Sequence, residues 1–178
     1  MHNQTITIIS GTNRANSVSL QVAKIYLGLL KKRGFDAQII DLSGLPYDFT
    51  QSALYDNEGE NEQFNHFREI MANSDKFVFI VPEYNGSFPG VLKAFIDGLK
   101  FPQTFRDKKG ALVGVSAGVL GANLALSHLT DIFNYCGMNI LALKPKLSGI
   151  DKVLEEDRIN NVLYMELLED QVDKILGF

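Results

Sequence analysis

A chain of 178 residues is one domain's worth, and 46% apolar with 21% charged residues is the composition of a folded soluble domain, not a disordered one. The net charge of −4, without a basic cluster, argues against a duplex nucleic-acid binder and is too mild for an electron carrier that docks through a strongly acidic face. The single cysteine, Cys136, excludes an internal disulfide framework and a multi-cysteine metal or iron–sulfur site.

In chain order, residues 5–10 (TITIIS) are short and rich in β-branched side chains, which predicts a strand. Residues 17–33 carry Leu20, Ala23, Leu27 and Leu30 at helical spacing, with Gly34 as a C-terminal stop signal. Residues 36–41 (DAQIID) read as a second strand, and 42–60 as a long loop without a sustained period. A helix follows over 62–74, with Phe64, Phe67 and Met71 on one face.

Residues 76–81 (KFVFIV) form a continuous apolar run, the pattern of a strand covered on both faces. Residues 89–99 predict a helix, 111–116 (ALVGVS) a strand and 122–136 a helix. Residues 138–142 predict a fifth strand and 159–176 a last helix. No run of about 18 apolar residues exists to span a membrane, and MHNQTITIIS lacks the basic and apolar segments of a secretion signal. The expectation is a single domain over 1–178 in the cytoplasm, with neither membrane nor nucleic acid as partner.

Five strands alternating with five helices imply an α/β fold, a parallel sheet covered on both faces. The flavodoxin-like three-layer sandwich, strand order 2-1-3-4-5, fits best, and places its ligand crevice outside the strand C-termini near strands 1 and 3. Chemistry is therefore expected in the loops after strands 1, 3 and 4.

The first of these loops runs from Ser10 to Ser19 and opens a helix, so free backbone N–H groups and the helix dipole point at it. It has one glycine, and neither the G-x-G-x-x-G of dinucleotide folds nor the G-x-x-x-x-G-K-[ST] of nucleoside triphosphatases. Hydroxyls from Thr12, Ser17 and Ser19 suit a terminal phosphate monoester instead, with a charge-assisted bond from Arg14. The same residues also suit a plain N-cap at Ser17 and a solvated Arg14.

The second loop, Pro82 to Gly90, holds Asn85-Gly86, which tolerates left-handed backbone angles. Its amides could line the edge of a flat ligand between Tyr84 and Phe88, or it could be an ordinary strand-to-helix turn. The third loop, Ser116 to Asn123, is made of small residues that permit close backbone approach by a ligand or by a packed helix.

Taken together these segments resemble a known family. Gly11-Thr12-Asn13-Arg14-Ala15-Asn16-Ser17 resembles the G-[ST]-x-R-x-x-S loop of the NADPH-dependent FMN reductases, a family that includes azo-dye, quinone and chromate reductases. Residues 82–93 are similar to its P-E-Y-N-x-S-x-P-G-x-L-K segment almost position for position. Asp41-Leu42 with Leu45-Pro46-Tyr47, and residues 116–121, resemble two further elements. The likeness spans roughly residues 5–142.

The resemblance implies that Thr12, Arg14, Ser17, Val18 and Ser19 hold the FMN phosphate. It implies that Pro82, Glu83, Tyr84, Asn85 and Gly86 border the isoalloxazine, and Ser116, Ala117 and Gly118 its far side. It further implies NADPH or NADH as co-substrate, a small-molecule electron acceptor, and a homodimer or homotetramer. Three departures stand out: Ser19 where many members have asparagine, Ile96-Asp97-Gly98-Leu99-Lys100 after the second loop's helix, and Ala122-Asn123 where a second glycine is common.

His2, His66, His128 and Cys136 are expected to lie outside the chemistry, because none falls in the three loops. No protein side chain is expected to be catalytic and no metal is expected. The rings of Tyr84, Phe88, Phe101 and Phe105 are expected at a subunit contact, with core packing as the other use of Phe101 and Phe105. Two functional classes stay open on the residues alone. One is an FMN-dependent reductase. The other is a non-catalytic FMN-binding protein or a flavodoxin-type carrier. A sugar-phosphate or nucleotide enzyme of the same architecture is a weaker third, because fold does not fix function.

Overall fold

A computed structural model describes residues 4–156 and 158–178; His2 lies outside them. In chain order the elements are β1 (Ile6–Ser10), α1 (Val18–Lys32), β2 (Ala37–Asp41), α2 (Phe49–Ser52), α3 (Glu62–Ala72), β3 (Lys76–Pro82) and α4 (Gly90–Asp97). They continue as β4 (Lys109–Ser116), α5 (Asn123–Tyr135), β5 (Asn139–Ile140), β6 (Lys146–Ser148), β7 (Leu154–Glu155), β8 (Arg158–Ile159) and α6 (Val162–Gly177).

The main sheet is parallel, in the expected order β2-β1-β3-β4-β5, with β6 also on β4. Side-chain alternation divides its core in two. Phe77, Phe79 and Val81 point to α3, α4 and α5, while Val78 and Ile80 point to α1 and α6. Each such side chain removed from water contributes about 1.5–3 kcal/mol. An aromatic group fills the first layer, with the Phe79 and Phe133 ring centroids 4.5 Å apart. Phe105 belongs to it, 3% exposed and 5.5 Å from Phe77. Of the two uses expected for Phe105, the structure shows core packing.

Local signals set most boundaries. Ser17, Asn61 and Asn161 each accept a bond from the backbone N–H three residues on, which starts α1, α3 and α6. Gly34 takes a φ of 79° just past α1, where other residues are strained.

Three segments differ from the reading of the sequence. The 42–60 loop contains α2 and two single 3-10 turns, at Leu42–Gly44 and Tyr55–Asn57. Arg68 organises it from below, donating to the carbonyls of Ala53 at 2.5 Å and Gly98 at 2.7 Å. The fifth strand is split into β5 and β6, and Pro145 between them offers only its carbonyl, to Gly114 N at 2.9 Å. The last helix begins at Val162, because Arg158–Ile159, just before it, pairs antiparallel with Leu154–Glu155 as β8 and β7.

The C-terminal helix is a structural element. Lys76 is buried at the start of β3, and its Nζ donates to the carbonyls of Ile175 at 2.8 Å and Leu176 at 2.9 Å, groups with no partner inside the helix. Among the described residues no helix is long and apolar enough to cross a membrane.

Candidate functional site

The three loops leave the C-terminal ends of adjacent strands. Ser10 is in register with Ile80, and Pro82 with Val115, so the loops after β1, β3 and β4 start side by side. Gly11 brings the first loop close to β3. Its N–H donates to Ile80 O at 2.9 Å, and a Cβ there would lie 2.9 Å from that same oxygen. No larger residue fits without moving the strand.

Beyond Gly11 the chain turns through Asn16, at a φ of 52°, into the N-terminus of α1. The turn encloses a cavity of about 160 Å³ lined by Thr12, Arg14, Ala15, Asn16, Ser17, Val18, Ser19, Pro82 and Tyr84. Ser17 caps the helix, accepting from Leu20 N at 3.1 Å, and its hydroxyl, 3.5 Å from Ser10 Oγ, also has a proton to donate. The cap reading and the ligand reading of Ser17 are therefore compatible.

Ser19 is 1% exposed, yet its Oγ has no hydrogen-bond partner among the described residues. A buried hydroxyl without a partner costs about 1–3 kcal/mol, and in this cavity the Ser19 hydroxyl is available to a bound group.

The second loop is a two-residue hairpin. Tyr84 and Ser87 exchange both backbone bonds, at 2.8 and 3.0 Å, across Asn85 and Gly86, whose φ values are 51° and 74°. Two consecutive left-handed residues define the type I′ turn that Asn-Gly favours. The Tyr84 phenol reaches back to the first loop, 2.8 Å from Thr12 Oγ1, while Glu83 N donates to Val115 O at 3.2 Å. On the other leg, Ser87 Oγ lies 2.9 Å from His128 Nδ1 on α5.

The third loop is more open. Ser116 is half-buried and donates to Gly118 O at 2.8 Å, whereas Ala117 and Gly118 are exposed. Gly121 is explained by packing, since a Cβ there would lie 2.7 Å from Lys146 Cβ. Ala122 holds a φ of 63°, a conformation a glycine adopts at lower cost.

Of the residues singled out in the sequence, Thr12, Arg14, Ser17, Val18, Ser19, Pro82 and Tyr84 share one cavity. Glu83, Asn85, Gly86, Ser116, Ala117 and Gly118 lie on the neighbouring loops and do not line it. Two residues not expected to contribute do so: Asn16, quoted only within the first-loop motif, and His128, expected outside the chemistry. Asn16 shapes the cavity by its backbone, and His128 meets the second loop from 41 positions away. The sequence carries no local signal for the latter. Cys136 and His66 are outside the site, and burial pushes the Cys136 thiol above its ordinary range. Among the described residues no three His, Cys, Asp or Glu side chains gather as metal ligands.

Residues 4–144 match the sequence profile of the NADPH-dependent FMN reductases. The chain belongs to that family. Its members are oxidoreductases that work with FMN and draw on NAD(P)H as co-substrate. A 2-hydroxy-1,4-benzoquinone reductase of a Burkholderia species is 32% identical over 80% of this chain and 76% of its own. An NAD(P)H-dependent FMN reductase of Pseudomonas aeruginosa is 36% identical over 68% of this chain and 64% of its own. In three dimensions, the flavoenzyme NAD(P)H:(acceptor) oxidoreductase FerB of Paracoccus denitrificans aligns with a TM-score of 0.76 at 23% identity, covering 98% of this chain and 96% of that one. At that identity the likeness is one of fold.

Proposed function

We propose that this FMN reductase takes hydride from NADPH or NADH and passes it through bound FMN to a quinone, flavin, azo or similar small acceptor, in a ping-pong cycle. The observation that carries the reading is the partnerless Ser19 hydroxyl, buried in a hydroxyl-lined cavity at a helix N-terminus that is tied to a left-handed turn by Thr12 and Tyr84.

The residues fit the group. Thr12, Ser17 and Ser19 would offer O–H donors to the FMN phosphate, Val18 and its neighbours the free N–H groups of the first helical turn, and Arg14 a countercharge. Pro82, Glu83, Tyr84, Asn85 and Gly86 would border the ring system, with the turn amides as donors along its edge. Ser116, Ala117 and Gly118 would lie on its far side, where small side chains leave room.

When bound, FMN supplies the redox chemistry, with hydride accepted at N5 and passed on. The three loops contain neither histidine nor cysteine, so the part left to the chain is to bind, orient and keep one ring face open. Nicotinamide and acceptor would use that face in turn, which gives the ping-pong order.

The face formed by α4 and α5 supports a subunit contact. A cavity of about 440 Å³ between them is lined largely by apolar side chains, among them Ile96, Leu99, Ile132 and Tyr135. At its mouth Phe101 and Tyr135 stack at 5.9 Å while 62% and 81% exposed, rings that a monomer leaves in water. We propose a homodimer or homotetramer through this face. Light scattering at micromolar concentration should give a multiple of the chain mass, and an active monomer would refute it.

The functional reading is tested by titrating the protein with FMN, then following NADPH or NADH consumption with a benzoquinone present. FMN binding with quinone-dependent turnover supports it. FMN binding without turnover would leave a flavin-binding protein, and no FMN binding would remove the reading.

A further inference from the structure

The hairpin at 84–87 has only one pair of residues holding it closed, and an isolated pair of such short strands is marginal in water. It needs anchoring from outside. Both of its legs provide an anchor through a side-chain hydroxyl, because the backbone groups of Tyr84 and Ser87 already serve each other. Tyr84 is held to Thr12. Ser87 is held to His128, at 2.9 Å from Oγ to Nδ1.

The second anchor comes from one face of α5. Leu124, four residues before His128, stands on the same side of the helix, and a methyl group on Gly86 would lie 3.7 Å from its Cδ1. Leu124 thus stands beside the turn at Gly86, and His128 fastens its outgoing leg at Ser87.

We infer that His128 is a positioning residue for the FMN ring, acting through Ser87 on the Asn85-Gly86 turn. The inference rests on the FMN reading above and adds a residue outside the three loops. The hydrogen bond between the Ser87 hydroxyl and Nδ1 fixes the leg that leads into α4. Removal of the imidazole takes away the side-chain hydrogen bond on the Ser87 leg and leaves that of Tyr84 to Thr12. The phosphate cavity is untouched, since His128 does not line it. His128 is exposed, so its replacement leaves the core intact.

The experiment compares wild type with His128→Ala, Ser87→Ala, the double variant and His128→Asn. The Asn variant places an amide heteroatom near the position of Nδ1. FMN affinity and the visible circular dichroism of the bound flavin are read, with thermal melting as the folding control. The expected result is a roughly 3- to 10-fold weaker FMN complex for each alanine variant, the scale of one hydrogen bond. The flavin dichroism should change, the double variant should lose no more than either single one, and His128→Asn should restore both readouts. Alanine variants that bind FMN with wild-type affinity and dichroism would overturn the inference and leave the FMN reading standing. Additive losses, or no rescue by asparagine, would also overturn it. A wild type that binds no FMN would overturn both.

Discussion

Thr12 and Tyr84, 72 positions apart in the chain, place their hydroxyl oxygens 2.8 Å from each other. That contact joins the helix-opening loop after β1 to the left-handed turn after β3, two parts that would hold opposite ends of one flavin. It also explains the tyrosine, because a phenylalanine would pack similarly without the tie.

The tie is measurable as a coupling. Thr12→Val and Tyr84→Phe should each weaken FMN binding, and the double variant should show a coupling of about 0.5–1.5 kcal/mol in a double-mutant cycle. Strict additivity would mean that the two loops act independently.

The phosphate end is tested through the ligand. Arg14→Ala should cost FMN about 1.5–3 kcal/mol, the range for a hydrogen bond to a charged group, and should leave riboflavin binding unchanged. Ser19→Ala should weaken FMN as well, without unfolding the protein, because the lost hydroxyl has no partner among the described residues. Equal affinity of the wild type for FMN and riboflavin would remove the phosphate site.

What the sequence disclosed follows the range of the forces involved. β3 was readable because a strand covered on both faces must be continuously apolar, and Ser17 and Gly34 because caps act within one turn. Asn85-Gly86 was readable because the pair's backbone preference is local, and both residues do take positive φ. The split between β5 and β6 was not readable, since it depends on which carbonyls of β4 find partners. Which of its two expected uses Phe105 takes was not readable, because its burial comes from Phe77 and Phe133, far off in the chain. The His128–Ser87 and Thr12–Tyr84 contacts join separate elements, which no spacing rule reveals.

The split edge strand has its own test. β5 pairs with Lys109 and Gly110, and β6 with Gly114 to Ser116, which leaves Leu112 in the gap. The buried Gln171 side chain fills it, donating to Leu112 O at 3.0 Å and Leu143 O at 2.8 Å. Gln171→Leu should therefore lower stability in urea by about 1–3 kcal/mol with FMN affinity unchanged. A neutral result would show that those carbonyls find water.

The one thiol should be silent in catalysis. Burial raises the Cys136 pKa, Asp97 adds to the rise and Lys93 opposes it. Iodoacetamide should react slowly at neutral pH, and Cys136→Ser should keep FMN binding and turnover. Above the ordinary thiol value of about 8.5 the unfolded chain loses a proton that the folded chain retains. The stability contribution of this group is therefore present below that value and is lost as pH rises through the elevated folded value. The serine variant should lack this part of the alkaline decline, and a variant with an unchanged decline would contradict the assignment.

The central claim is hydride transfer from a nicotinamide to flavin held by these three loops. Anaerobic rapid mixing of the FMN-loaded protein with NADPH, and separately with NADH, tests it most directly. The visible flavin band should bleach with at least one of the two before any acceptor is present, and return when a benzoquinone is added. Bound FMN that keeps its band with both nucleotides would contradict the account and leave a flavin-binding protein without reductase activity.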